Sequence, residues 1–212
     1  MEYATLAMTS FDISETGNLN FVESLCWDML SEGAVNRKSG MHNVVIGTTS
    51  GDLAILRTVI LRRVDKAAKK IYFHTDIRSN KIKEIRSSGI ISWLAYDPAQ
   101  VSQIRLSGRT VIHHKDDICR EHWAMTAHHS RRAYMLPEGP GVEISDPENA
   151  MTQELETFNY SLEESEKGWE HFAVVETEID WMEWYFTHHT GNRRAVFQYK
   201  SIDLIKAGWH TP

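Results

Sequence analysis

The sequence predicts an α+β chain built on a mainly antiparallel β-barrel with peripheral helices. Two observations carry this. About seven strand-like segments follow one another, most joined by short turns, with helical stretches inserted between only some of them. No strand leads into G-x-G-x-x-G or G-x-x-x-x-G-K-[ST], so the phosphate-binding turns of parallel α/β sheets are missing.

At 212 residues and 42% hydrophobic, the chain can close one sizeable core. We expect a lead-in over 1–19 and a single domain over 20–212. The net charge of -6 argues against nucleic acid as a partner and against attraction to anionic membranes. Met1–Ser10 lacks the basic start and apolar run of a signal peptide, and no apolar stretch approaches bilayer-spanning length. The two cysteines, Cys26 and Cys119, form no metal-type pair and fit a reducing cytoplasm.

Phe21, Leu25, Met29 and Leu30 recur at helical spacing, so 20–32 is expected to be an amphipathic helix. A strand at about 42–49 turns through Ser50-Gly51-Asp52 into an apolar run from Leu53 to Val64, read as one long strand buried on both faces. A short strand follows at 71–75, then a helix at 79–88 ended by Gly89. Strands at 90–96 and 101–113 form a further antiparallel pair. One or two helices cover 115–132, Pro137–Gly141 breaks the chain, and another helix is expected at 149–165. Strands then return at 169–187, at 193–200 and at the C-terminus.

Arg57 interrupts the apolar run, and a buried guanidinium requires an anion, either a ligand or a carboxylate of the chain. Arg62 lies an odd number of residues away, so on one strand it would leave the opposite face. Ser79, Asn80 and Lys81 sit where the helix starts. Free backbone N–H groups and the positive dipole end favour a phosphate there, although a capped helix with a surface lysine explains the same residues. Lysine opposes the dipole at that end, which favours the anion. Eleven histidines include adjacent pairs, but none has metal-ligand spacing, and no metal is expected. Nor is there a nucleophile elbow.

Taken together, Arg57-Thr58-Val59-Ile60-Leu61-Arg62, His74-Thr75, Ser79-Asn80-Lys81, Gln103 with Ser107-Gly108, and Trp184 ten residues before Arg194 resemble the FMN-binding pattern of the pyridoxamine 5'-phosphate oxidase family. The resemblance runs from about Val44 to the C-terminus. It implies a split β-barrel homodimer with FMN in two interface clefts. Arg57, Lys81 and Ser79 would hold the phosphate. The backbone of Thr58, Val59, Ile60 and Leu61, with His74 and Thr75, would line the flavin, and Gln103, Trp184 and Arg194 would complete the site, partly from the partner subunit. Arg62 stands in place of a lysine that touches flavin and substrate, a change of geometry at constant charge.

Three departures stand out. Asn80 replaces an arginine, with Arg78 as a candidate to restore the contact. Thr190-Gly191-Asn192 replaces the oxidase's Arg-x-His, and the substrate-phosphate residues have no counterparts beyond nearby Trp123, Ser130 and Arg131. The resemblance therefore implies an FMN-dependent oxidoreductase acting on an unidentified small molecule. Open alternatives are a flavin carrier or sensor without turnover, and a split barrel holding haem or a deazaflavin.

Overall fold

The computed structural model describes residues 14–189 and 191–212. Strands β1 (Asn43–Ser50), β2 (Leu53–Ile60), β3 (Arg63–Asp65), β4 (Lys70–Asp76), β5 (Ile90–Asp97), β6 (Ser102–His113), β7 (Phe172–Phe186), β8 (Arg193–Lys200) and β9 (Asp203–His210) form one sheet. Every pairing is antiparallel, and the order is β2-β1-β5-β6-β7-β4-β3, with β8 and then β9 branching from β7. The expected antiparallel barrel is thus the fold observed.

The branch arises on β7, which is 15 residues long. It pairs with β6 along its length, with β4 through Phe172–Glu178 and with β8 through Trp181–Phe186. One strand therefore belongs to two sheet surfaces, and the barrel is split there. Opposite, the link at 61–62 carries the chain from β2 to β3: Leu61 N–H donates to His42 O at 2.9 Å and Arg62 N–H to Tyr72 O at 2.9 Å.

Three longer helices attach to this frame: α1 (Leu19–Val35), α2 (Asn80–Ser88) and α3 (Asp117–Met125). Asn18 caps α1 through its side-chain oxygen, accepting from Asn20 N and Phe21 N. The apolar stripe of α1 buries Val22, Leu25, Cys26, Trp27, Met29 and Leu30 in the main core with Ile46, Phe73, Trp93, Ile104 and Trp184. Each large side chain so buried stabilises the fold by about 1.5–3 kcal/mol. A second cluster outside the barrel gathers Tyr72, Cys119, Trp123, Tyr134, Phe172 and Val174.

Four expectations change. The run Leu53–Val64 is not one strand buried on both faces: β2 ends at Ile60, lies at the sheet's edge, and leaves Leu53 and Leu56 each 70% exposed. Val59 packs against the core while Leu53 and Leu56 do not, so apolarity here marks one core-facing side and one open face. Strand parity consequently cannot relate Arg57 to Arg62, because the strand stops between them. The helix expected at 149–165 is three short turns, Pro147–Ala150, Gln153–Glu156 and Leu162–Ser165. The lead-in also ends early. Glu15–Gly17 forms a 3-10 turn with Thr16 buried, and Arg193 donates to the Thr16 hydroxyl. Met1–Ser10 lies outside the described residues. Among those described, no helix is long and apolar enough to cross a membrane.

Candidate functional site

Helix α2 begins as the sequence predicts, with Ser79 at its N-cap in extended conformation. Yet the Ser79 hydroxyl makes no capping bond to the first turn. It lies 3.3 Å from Thr75 Oγ1 and accepts from Lys81 Nζ at 3.2 Å, while Lys81 Nζ also donates to Thr75 Oγ1 at 3.0 Å. The serine therefore serves the lysine, and the first-turn N–H groups of α2 have no side-chain cap.

Arg57 reaches the same place from β2. Its guanidinium donates to Thr48 Oγ1 at 2.8 Å and to Glu84 Oε2 at 2.8 Å. The Thr48 hydroxyl donates to that same carboxylate oxygen. Burial lowers the pKa of Lys81, and the positive charge of Arg57 lowers it further. The two cations are thus close enough to repel, and Glu84, bonded to Arg57, acts on Lys81 with the opposite sign. Burial alone would raise the Glu84 pKa, but bonds from Thr48 and Arg57 outweigh it and hold the carboxylate ionised. Lys81 with two hydroxyls at a helix start, and Arg57 near enough to act on it, make a set that suits a phosphate by charge and by donor number.

Other predicted residues fall elsewhere. On the adjoining β2, Thr58 is exposed, Val59 and Ile60 are half-buried, and Leu61 is fully buried in the core, so Leu61 can offer a ligand only its backbone. Asn80 is exposed at the start of α2. Arg78 does not replace the missing contact: it pairs with Asp76 at 2.7 Å and donates to the carbonyls of Leu136 and Pro137. That anchors the Pro137–Gly141 loop beside α2.

His74 adjoins Thr75 but leaves the opposite face of β4. It lies with Arg62 and Ser130 in a separate cavity, also lined by Arg37 and His122. His74 Nε2 is 2.8 Å from His122 Nδ1. Burial, then His122, then Arg62 hold the His74 pKa well below its usual value, so the imidazole is neutral.

A third group forms a register row across the outer face of the sheet: Tyr96, Gln103, Tyr185, Arg194 and His210 on β5 to β9. Asn192 joins it, donating to Tyr185 Oη at 3.0 Å, while Thr190 lies outside the described residues. Arg194 pairs with Glu183, which also pairs with Arg105 at 3.1 Å. Trp184 does not belong to this face. It is 0% exposed in the main core, stacked 5.4 Å from Phe186, because alternation turns it away from Tyr185 and Arg194. Trp123 and Arg131 are also corrected. Arg131 lies over the Trp123 ring at 4.5 Å and bonds Glu166, Ser165 and the carbonyls of Trp123 and Thr126, so both are spent on holding α3.

Residues 26–114 match the family model described as "Pyridoxamine 5'-phosphate oxidase, FMN-binding domain". No curated protein matches the chain. Two solved structures share the fold. One is a pyridoxamine 5'-phosphate oxidase-related, FMN binding protein from Nostoc punctiforme PCC 73102, with TM-score 0.69 and 14% identity over 96% of this chain and 100% of that one. The other is PhzG from Burkholderia lata 383 in complex with tetrahydrophenazine-1-carboxylic acid, with TM-score 0.71 and 19% identity over 97% and 98%. The family resemblance and the split-barrel fold read from the sequence are both borne out.

Proposed function

We propose that this chain, whose residues 26–114 belong to the pyridoxamine 5'-phosphate oxidase FMN-binding family, binds FMN and acts as an oxidoreductase on a small molecule in the cytoplasm. The observation that carries the reading is the gathering of Thr75, Ser79 and Lys81 at the start of α2, with Arg57 near enough to lower the lysine's pKa. The donor set fits a phosphomonoester, and FMN would supply a hydride-accepting ring. Arg57 and Lys81 would grip the phosphate, with Thr75 and Ser79 orienting the lysine. The edge of β2 not bonded to β1 would present the backbone of Thr58–Leu61 to the ring.

The reading includes a homodimer. Leu53, Leu56, Leu94, Tyr96, Ile205 and Trp209 are exposed on strands flanking the cradle and the Gln103–Arg194 row. A second copy covering them would bury apolar surface and bring that row toward a cradle. The buried thiols of Cys26 and Cys119, both with raised pKa through burial, suit a reducing compartment. Purified protein is expected to be yellow, to release FMN on denaturation as identified by mass, and to sediment as a dimer. A colourless protein that neither retains nor binds added FMN would sink the proposal. If FMN binds but no tested donor reduces it anaerobically, a carrier or sensor role takes its place.

Glu84 supplies a further expectation. A phosphate arriving at Arg57 meets the carboxylate already held there, and like charges a few ångströms apart cost about 2 kcal/mol or more at a partly buried site. Glu84→Gln keeps an acceptor for Arg57 and Thr48 but removes that charge. FMN affinity should therefore rise about thirtyfold or more, read by quenching of flavin fluorescence, while unliganded thermal stability falls. Weaker FMN binding would show that Glu84 orients Arg57 rather than competing for it.

A further inference from the structure

Where α3 meets the outer face of the sheet, two buried histidine nitrogens have no hydrogen-bond partner among the described residues: Nε2 of His122 and Nε2 of His113. Buried polar atoms left so call for an explanation. The two rings are near enough for His113 to act on His122. Glu176 acts on His122 as well, and its Oε2 lies 3.7 Å from His113 Nε2. Two ring nitrogens and the oxygen of a buried carboxylate therefore border one space. A water set there would have three polar partners, about the number a buried water keeps.

We propose that His74, His122 and His113, with one water between the last two, form a proton relay from the cavity behind β4 to solvent at Asp116. Its inner and outer links are direct. His74 lines the cavity and sets Nε2 2.8 Å from His122 Nδ1, and His113 sets Nδ1 2.8 Å from Asp116 Oδ2. The Asp116 side chain is 43% exposed, so the chain of groups ends in water. The inference rests on the reading above only for the relay's use. A donor that gives a hydride to a flavin also sheds a proton from its oxygen or nitrogen, and His74 stands where that proton can be taken.

Imidazole suits this task because it takes a proton on one nitrogen and releases another from the second. With hydrogens on Nε2 of His74, Nε2 of His122 and Nδ1 of His113, every link has a donor facing an acceptor. A proton arriving on His74 Nδ1 sends the Nε2 hydrogen to His122 Nδ1. The His122 Nε2 hydrogen then passes through the water to His113 Nε2, and the His113 Nδ1 hydrogen leaves through the Asp116 carboxylate. One proton enters, one leaves, and no electrons move. Burial is the main cause that holds both His74 and His122 below their ordinary pKa, so neither ring traps the passing proton. Glu176, paired with Lys70 at 2.7 Å, offsets the positive charge midway. Burial alone would raise the Asp116 pKa, but bonds from the Cys119 N–H and from His113 outweigh it, so the exit returns to its acceptor form.

The relay can be read without flavin, from the exchange of the His122 Nε2 hydrogen with water in proton–nitrogen NMR spectra of the histidine-labelled full chain. In the wild type this signal should be broadened by rapid exchange, because the relay hands the hydrogen on to solvent. His113→Phe removes the next carrier. Asp116→Asn removes the exit but keeps a side-chain oxygen to cap α3. Each should slow the exchange by about a hundredfold, the low end of what a positioned proton-transfer group contributes, and so sharpen the signal. A substitution that merely loosened α3 would speed exchange instead, which separates the relay from a structural role. A sharp signal in the wild type, or undiminished exchange in either folded variant, would overturn the proposal. Asp116→Asn decides the matter where His113→Phe fails to fold. A chain that binds no flavin but shows rapid, His113-dependent exchange sinks the flavin reading and leaves the relay. A yellow protein whose exchange ignores both substitutions does the reverse.

Discussion

Replacing Arg57 and Lys81 together with alanine should abolish FMN retention, giving a colourless protein whose affinity for added FMN falls by about a hundredfold or more. Hydrogen bonds to charged groups contribute about 1.5–3 kcal/mol each, so losing both cations removes about 3–6 kcal/mol of binding. The substitutions differ in what they leave behind. Lys81 donates only to Thr75 and Ser79, whose buried hydroxyls still lie 3.3 Å from each other when it is lost. Arg57 holds Glu84, whose side chain is 10% exposed, and its loss leaves a largely buried carboxylate without its cation. Arg57→Ala alone should therefore lower thermal stability as well as affinity, and adding Glu84→Gln should restore much of the stability while leaving FMN unbound. That separation matters, because loss of flavin through unfolding would not locate the phosphate. Fluorescence titration with thermal denaturation of the three variants distinguishes the cases. Undiminished FMN occupancy in a folded double variant would remove the cradle from the site.

The cradle was legible because its residues follow a local rule: a serine at a helix start, a lysine two positions on, and an arginine in a neighbouring strand. Glu84 was equally local, three residues after Lys81 and so on the same helix face, but an acid there looks like ordinary surface charge until Arg57 is seen to reach it. His122 had no such signal. It meets His74 only because α3 packs on the outer face of β4, a contact spanning 48 residues. Trp123 and Arg131 misled for the opposite reason: their residue types suit a ligand, but the fold lays the guanidinium onto the ring and completes it with backbone carbonyls. The apolar run after Leu53 looked like a core strand because a surface awaiting a partner and a core share one composition. Trp184 failed on parity, and the cause of that parity lies in β7.

Gly108→Ala should cost about 3 kcal/mol or more, near the top of the range for overpacked positions, because β7 approaches this glycine too closely for any side chain. A Cβ built on Gly108 would lie 1.8 Å from Glu178 O, a backbone atom that cannot rotate aside. The approach exists because the ladder slips here: Gly108 pairs with Ile179 while Ser107 pairs with Trp181, leaving Asp180 as the extra residue of a bulge. The slip switches which residues of β7 face inward. Val175 and Ile179 enter the core before it, whereas Met182, Trp184 and Phe186 do so after it. Without the bulge, alternation would send Trp184 outward and turn Tyr185 and the ion-paired Glu183 into the apolar core. The same slip sets the outer row, since Gln103 and Arg194 meet across Tyr185 only in the shifted register. Gly108→Ala must either displace β7 or erase the bulge, and both routes break the row as well as the core. Gly208→Ala is the control: it is also in a strand, a Cβ added there would meet nothing within 4 Å, and it should change stability by about 0.5 kcal/mol at most. Urea unfolding of both variants measures the difference, and equal midpoints would show that the bulge tolerates a side chain and that another contact sets the register of β7.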